Sequence, residues 1–111
     1  MMMKAEQAVD ALGALAQEHR LKLFRMLVQA GAEGMAAGDL ARAIEIPNSS
    51  LSFHLGHLHR AGLVEQRRFG RSLVYNANYR AMDRLVAYLM ENCCGGAGCA
   101  PAAASIEKET A

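Results

Sequence analysis

The sequence predicts a mainly α-helical domain with a single β-hairpin, in the order helix-helix-helix-helix-strand-strand-helix. Three observations point to it. Apolar residues recur at helical spacing in five separate windows. One window, residues 63–77, instead places β-formers on either side of "FGRS", the mark of a hairpin. The chain has 111 residues, enough for one domain with one modest core. With 52% apolar and 21% charged residues, the composition is that of a folded chain rather than a disordered one.

Each element follows from local pattern. "KAEQAVDALGALA" (4–16) sets Val9, Leu12, Leu15 and Ala16 at helical spacing, and "EHRLKLFRMLVQA" (18–30) does the same with Leu21, Phe24, Leu27 and Val28. "GAEGM" (31–35) has two glycines and predicts a loop. "AGDLARAIEI" (37–46) offers Leu40, Ala41 and Ile44 for a short third helix, which Pro47 should stop. Asn48 or Ser49 then caps a fourth helix, in which Leu51, Leu55 and Leu58 fall at i, i+4 and i+7 and which Gly62 ends. After the hairpin comes "YRAMDRLVAYLMEN" (79–92), with Met82, Leu85, Val86, Leu89 and Met90 at i, i+3, i+4, i+7 and i+8. Residues 1–92 thus form the folded domain, and 93–111 a cysteine-bearing flexible tail.

Two short helices joined by a tight turn predict a helix-turn-helix, and the hairpin directly after makes it the winged variety. Charge agrees with a nucleic-acid partner. Residues 50–80 hold five arginines against one acid, Glu65, while the remainder holds seven basic and ten acidic residues. In such a motif the second helix enters the major groove with its N-terminal residues nearest the bases. Here that turn supplies Asn48, Ser49, Ser50, Ser52 and His54, short donors and acceptors suited to phosphates and base edges, and with Leu51, Leu55 and Leu58 turned inward, Ser49, Ser52, Phe53 and His57 face outward. Arg67, Arg68 and Arg71 at the hairpin tip add grip on the adjacent backbone or the minor groove. The competing readings are that the serines and Asn48 only cap a helix, that the arginines only solvate a turn, and that His54, His57 and His59 hold zinc. No carboxylate or cysteine lies near those histidines in sequence to complete a ligand set.

The three cysteines, Cys93, Cys94 and Cys99, share one seven-residue window. Their odd number, with no signal peptide and no apolar run of the roughly 18 residues a membrane span needs, predicts a cytoplasmic protein with reduced thiols. Adjacent Cα atoms lie about 3.8 Å apart, short of the roughly 4.4–6.8 Å a disulfide prefers, so a Cys93–Cys94 bridge is strained. Cys99 can bridge either one and leave a thiol over, which makes a redox sensor the alternative reading; a cysteine-bearing tail without a role is the bland one. An enzyme is not expected. The thiols follow a helix C-terminus, whose dipole disfavours the thiolate that nucleophilic catalysis needs, and no catalytic cofactor is implied.

"EHRLKLFRML" (18–27), "GDLARAIEIPNSSLSFHLGHLHRAGLV" (38–64) and "RRFGRSLVYNA" (67–77) resemble the ArsR/SmtB family of transcriptional repressors, over roughly residues 8–92. The resemblance implies a homodimer joined through the first and last helices, operator DNA as partner, and release of DNA when a metal or metalloid binds. It also sorts the family's effector sites. The Cys-x-Cys arsenic site before an Asp-Leu is absent, since Ala36 and Gly38 stand at those positions before Asp39-Leu40. The zinc site of the last helix is absent too, since that helix has Asp83 but no histidine. What remains resembles the C-terminal three-cysteine site of an arsenite- and antimonite-responsive branch, with As(III) or Sb(III) as inducer on Cys93, Cys94 and Cys99. Soft thiolates suit such an ion, and trivalent arsenic forms three bonds to sulfur where zinc wants four ligands; cadmium, lead and bismuth also accept three sulfurs.

Overall fold

The computed structural model describes residues 3–96. The chain runs α1 (Ala5–Leu15), α2 (Glu18–Ala30), a 3₁₀ turn (Gly31–Glu33), β1 (Met35–Ala36), α3 (Ala37–Ile44), α4 (Asn48–Arg60), β2 (Val64–Phe69), β3 (Ser72–Ala77), α5 (Tyr79–Leu89) and a second 3₁₀ turn (Cys93–Gly96). The strands form an antiparallel sheet in the order β1-β3-β2. A winged helix-turn-helix is therefore present, with one strand more than the hairpin predicts.

The interior is a leucine cluster. Leu23 and Leu27 of α2, Leu40 of α3, Leu55 and Leu58 of α4, and Leu63 beyond it are all fully buried. Each such side chain stabilises the fold by about 1.5–3 kcal/mol through removal from water. Small residues close the remaining side: α1 contributes only Ala8, Ala11 and Ala14, which let its backbone pack closely on the helices beneath.

Helix boundaries follow capping chemistry. The fourth helix ends as its sequence predicts: Gly62, at φ 79°, donates to the carbonyl of His59 at 2.9 Å, and the Leu63 amide donates to that of Leu58 at 3.0 Å. These are the paired bonds of a Schellman stop. Asn78 then caps α5. Its Oδ1 accepts from the Ala81 amide (3.1 Å), and its Nδ2 donates to the carbonyl of Gly62 (3.0 Å), tying the end of α4 to the start of α5.

Several expectations are corrected. Helix α3 ends not at Pro47 but at Glu45, whose left-handed backbone (φ 57°) closes the turn. Pro47 is itself the residue that precedes the first turn of α4, so Asn48 and Ser49 lie inside the helix and neither side chain caps it. "GAEGM" is not plain loop. Met35 and Ala36 pair with Tyr75 and Val74, a ladder too short to leave a periodicity in sequence. Helix α5 stops three residues early, and Asn92 takes a left-handed backbone (φ 57°). The apolar stripes of α1 and α2 hold only in part: Phe24 and Leu27 are buried and Leu15 packs against the core. Val9, Leu12, Leu21 and Val28 are exposed, and the alanines of α1 and Leu23 of α2 lie inward instead.

The sheet is pinned at Gly34. A Cβ there would collide with the carbonyl of Tyr75, and its φ of 69° already disfavours any side chain. Gly34→Ala is expected to lower stability by roughly 1–3 kcal/mol, and Leu58→Ala by about 2–5 kcal/mol. Urea titration followed by circular dichroism checks both; an unchanged midpoint for Gly34→Ala would contradict the close approach.

Candidate nucleic-acid interface and thiol segment

Burial of Leu51, Leu55 and Leu58 fixes the rotation of α4. The opposite face then carries Asn48, Ser49, Ser52 and Phe53, all exposed, with Ser50, His54 and His57 half-buried at its edges. Phe53, 61% exposed, stands edge-on to the rings of His54 (5.4 Å) and His57 (6.4 Å). Because no side chain caps this helix, the first-turn amides of Asn48, Ser49 and Ser50 have no carbonyl partner within it. Free amides at a helix N-terminus beside hydroxyls suit a phosphate oxygen.

The wing arginines divide by strand alternation. Arg67 reaches toward the segment before β1. Its Nε donates to Asn76 Oδ1 (2.9 Å), its Nη2 to the carbonyl of Glu33 (3.3 Å), and its guanidinium sits 5.0 Å from the Phe69 ring. Asn76 in turn donates to the carbonyl of Ala32 at 2.8 Å. Arg67 therefore braces the wing against the 31–36 segment. Arg68, on the other face, and Arg71, in the turn, line a shallow cleft with Ala36, Ala37 and Gly38 at the start of α3. Gly70, at φ 61°, supplies the first position of the two-residue turn that holds Arg71 out.

Two residues of this region were missed by the sequence reading. Arg20 and His19 come from the start of α2. Arg20 is 9% exposed, and its Nε donates to the carbonyl of Ala14 at 2.7 Å. Its Nη1 lies 3.4 Å from Nδ1 of His54, and the His19 ring lies 5.4 Å from that of His54. A signal existed: Arg20 precedes Leu23, Phe24 and Leu27 by three, four and seven residues, which puts it on the buried stripe. The histidine pKa values respond. Burial foremost, then the Arg20 guanidinium, then His19 and His57, lowers that of His54 below the usual imidazole value. Burial, then Arg20 and Arg60, lowers that of His57. A guanidinium against His54 also opposes a cation, and among the described residues no group of three or more His, Cys, Asp or Glu side chains is arranged to hold a metal. His59 is exposed.

At the far end, the Cys93 amide donates to the carbonyl of Met90 at 3.0 Å, which continues the last turn of α5 into the thiol segment. Cys93 is half-buried with a free thiol; Cys94 has a left-handed backbone (φ 57°, ψ 32°) and is disulfide-bonded. Cys99 and the tail from 97 to 111 lie outside the described residues. The helix leading to these cysteines exposes Val86, Leu89 and Met90, and α1 exposes Val9 and Leu12.

Comparison with known proteins decides the family. A helix-turn-helix domain model matches residues 15–67. The HTH-type transcriptional regulator YgaV of Escherichia coli is 31% identical over 90 residues, 81% of this chain and 89% of the relative. A putative arsenical resistance operon repressor, ArsR, of Halobacterium salinarum is 35% identical over 82 residues, 74% of this chain and 63% of the relative. The chain belongs to the ArsR/SmtB family of transcriptional regulators. Its family fold also matches reduced HlyU from Vibrio cholerae (TM-score 0.63, 30% identity, 81% of this chain and 92% of that one). The homodimeric winged helix-turn-helix domain of Mb0332 from Mycobacterium bovis, a possible ArsR-family regulator, matches with TM-score 0.63 and 27% identity over 78% of this chain and 75% of that one. The family is one of DNA-binding regulators, not of enzymes. No helix among the described residues is long and apolar enough to cross a membrane.

The lowered histidine pKa values set a pH dependence. A base whose folded pKa lies below its unfolded value, about 6.5, favours the fold while neutral. Stability is therefore full above that value and falls as pH drops through the folded one. Thermal melts from pH 8 to pH 5 are expected to show this loss, smaller in His54→Gln; an identical pH profile in that variant would remove His54 as a source.

Proposed function

We propose that the protein is a homodimeric repressor that leaves its operator when Cys93, Cys94 and Cys99 bind trivalent arsenic or antimony. The observation that carries it is the placement of Cys93 in the turn that follows α5, with its amide on the carbonyl of Met90, while Val86 and Leu89 of that helix and Met90 at its cap stay uncovered. An exposed apolar stripe of this kind asks for a partner surface, and the stripe on α1 offers the second half of a two-fold contact. The homodimeric neighbour and the arsenical resistance repressor among the relatives agree with both parts.

The chemistry is ligand exchange. Three thiols replace three hydroxides on trivalent arsenic, and each thiol proton leaves with a hydroxide as water. Drawing the tail onto the end of α5 shifts a helix of the dimer contact and changes the spacing of the two recognition helices. The coupling is reciprocal, so operator DNA weakens metalloid binding by the same factor.

A second reading uses the same residues. In this structure Cys94 is disulfide-bonded, a state that binds no arsenic, and a reduced form is named for the neighbour HlyU. On this reading oxidation alone releases the operator.

Mobility shift separates the two. Arsenite is expected to release DNA from the reduced wild type and fail with Cys99→Ser. Normal release from Cys99→Ser would end the three-thiolate reading, and release by peroxide but not arsenite would favour the redox sensor. DNA affinity itself should fall steeply with salt, since phosphate contacts release counterions; affinity flat in salt would contradict the assigned face. Leu89→Asp is expected to yield monomers in analytical ultracentrifugation; dimers as stable as wild type would place the contact elsewhere.

A further inference from the structure

Arg20 is a charge buried without a carboxylate. The one carboxylate ion pair among the described residues joins Arg42 and Asp39. What holds the guanidinium is the carbonyl of Ala14, in the last turn of α1 (2.7 Å). Helix α1 ends at Leu15, so that carbonyl has no amide partner in its own helix, and the negative end of the helix dipole faces the cation. The second contact is Nη1 to His54 Nδ1 at 3.4 Å. Arginine has five donors and no acceptor and stays charged. Nδ1 must therefore be the acceptor, which requires a neutral ring with its proton on Nε2.

The geometry points to Arg20 as a positioning residue for DNA recognition: it ties the end of α1 to the recognition helix α4 and holds His54 as the Nε2–H tautomer, whose ring proton serves as a neutral donor to DNA. The inference rests on the DNA-binding face described above. It adds two things. His54 contributes a donor without a charge, which suits acceptors such as guanine N7 or O6 or a phosphate oxygen. And a helix with an exposed apolar stripe is linked to the recognition helix by two hydrogen bonds through one side chain. The groups facing His54 are Arg20 and His19 from α2 and His57 from its own helix; all are basic, so protonating His54 would set cation against cation. The lowered pKa of His54 agrees with a ring kept neutral.

The test joins imidazole ¹⁵N NMR to DNA binding at fixed salt. In the wild type at pH 7.5, His54 is expected to carry its proton on Nε2. Arg20→Met, which keeps the length and removes both charge and donors, should give mixed tautomers and a higher titration midpoint, with DNA affinity down by about tenfold. His54→Gln keeps an acceptor toward Arg20 and an outward donor, so it should stay within about threefold of wild type, whereas His54→Phe should lose about tenfold. A proton on Nδ1 in the wild type, or an unchanged tautomer and midpoint in Arg20→Met, overturns the tether. A well-folded Arg20→Met that binds DNA as tightly as wild type, or equal affinities for His54→Gln and His54→Phe, overturns the role in recognition. If Arg20→Met does not fold, the wild-type tautomer and the two His54 variants decide. If the wild type binds no duplex at all, the DNA-binding reading fails, and the NMR spectra still decide the tether.

Discussion

Burial of Leu51, Leu55 and Leu58 is the constraint from which the working surface follows. A helix offers one apolar stripe, and a core of close-packed leucines accepts it in one rotation. Once Leu55 and Leu58 meet Leu23, Leu27 and Leu40, the residues between them have no choice of side. Asn48, Ser49, Ser52 and Phe53 go outward, and His54 and His57 sit at the margin, where Arg20 can reach one of them. The recognition face is the complement of the core.

The rest of the domain keeps that face oriented. Asn78 links the stop of α4 to the start of α5 by bonds to Gly62 and Ala81. Asn76 and Arg67 link the wing to the turn before β1, and Gly34 lets β1 approach β3. Arg20 links α1 to α4. The links through Asn78, Asn76 and Arg67 are polar and exposed or part-buried, so they fix direction more than they add stability, whereas that of Arg20 to Ala14 is buried. Of the apolar residues left exposed, Val9, Leu12, Val86, Leu89 and Met90 lie on or just past the two terminal helices, Leu21 and Val28 on α2, and Phe69 on the wing.

Much of this was legible in the sequence. The five helices, the hairpin, the stop at Gly62 and the inward leucines of α4 all follow from spacing and turn residues. The outward placement of Ser49, Ser52 and Phe53 followed from the same spacing, while His57, assigned outward with them, is half-buried. Besides the ends of α3 and α5 and the cap of α4, three things did not follow. Strand β1 has two residues and gains its identity only from Tyr75 and Val74 across the ladder. The stripe of α1 was read mainly from its larger apolar side chains, whereas the structure buries alanines there because two helices must come close. Arg20 was passed over because a charge on an apolar stripe reads as an irregularity until its partners are known.

What the sequence by itself determined is local: which stretches are helical, that α4 stops at Gly62, which residues alternate, and that all three thiols lie together beyond the last helix. Hydrogen-bond caps and side-chain periodicity act over a few residues, and a few residues are enough to read them. What only the tertiary structure decided is which partner each ambiguous side chain meets. Arg20 finds Ala14 and His54 across gaps of six and 34 residues, and Arg67 finds the carbonyl of Glu33 across 34. Such contacts depend on how whole elements pack, and packing is a property of the assembled core rather than of any window of sequence.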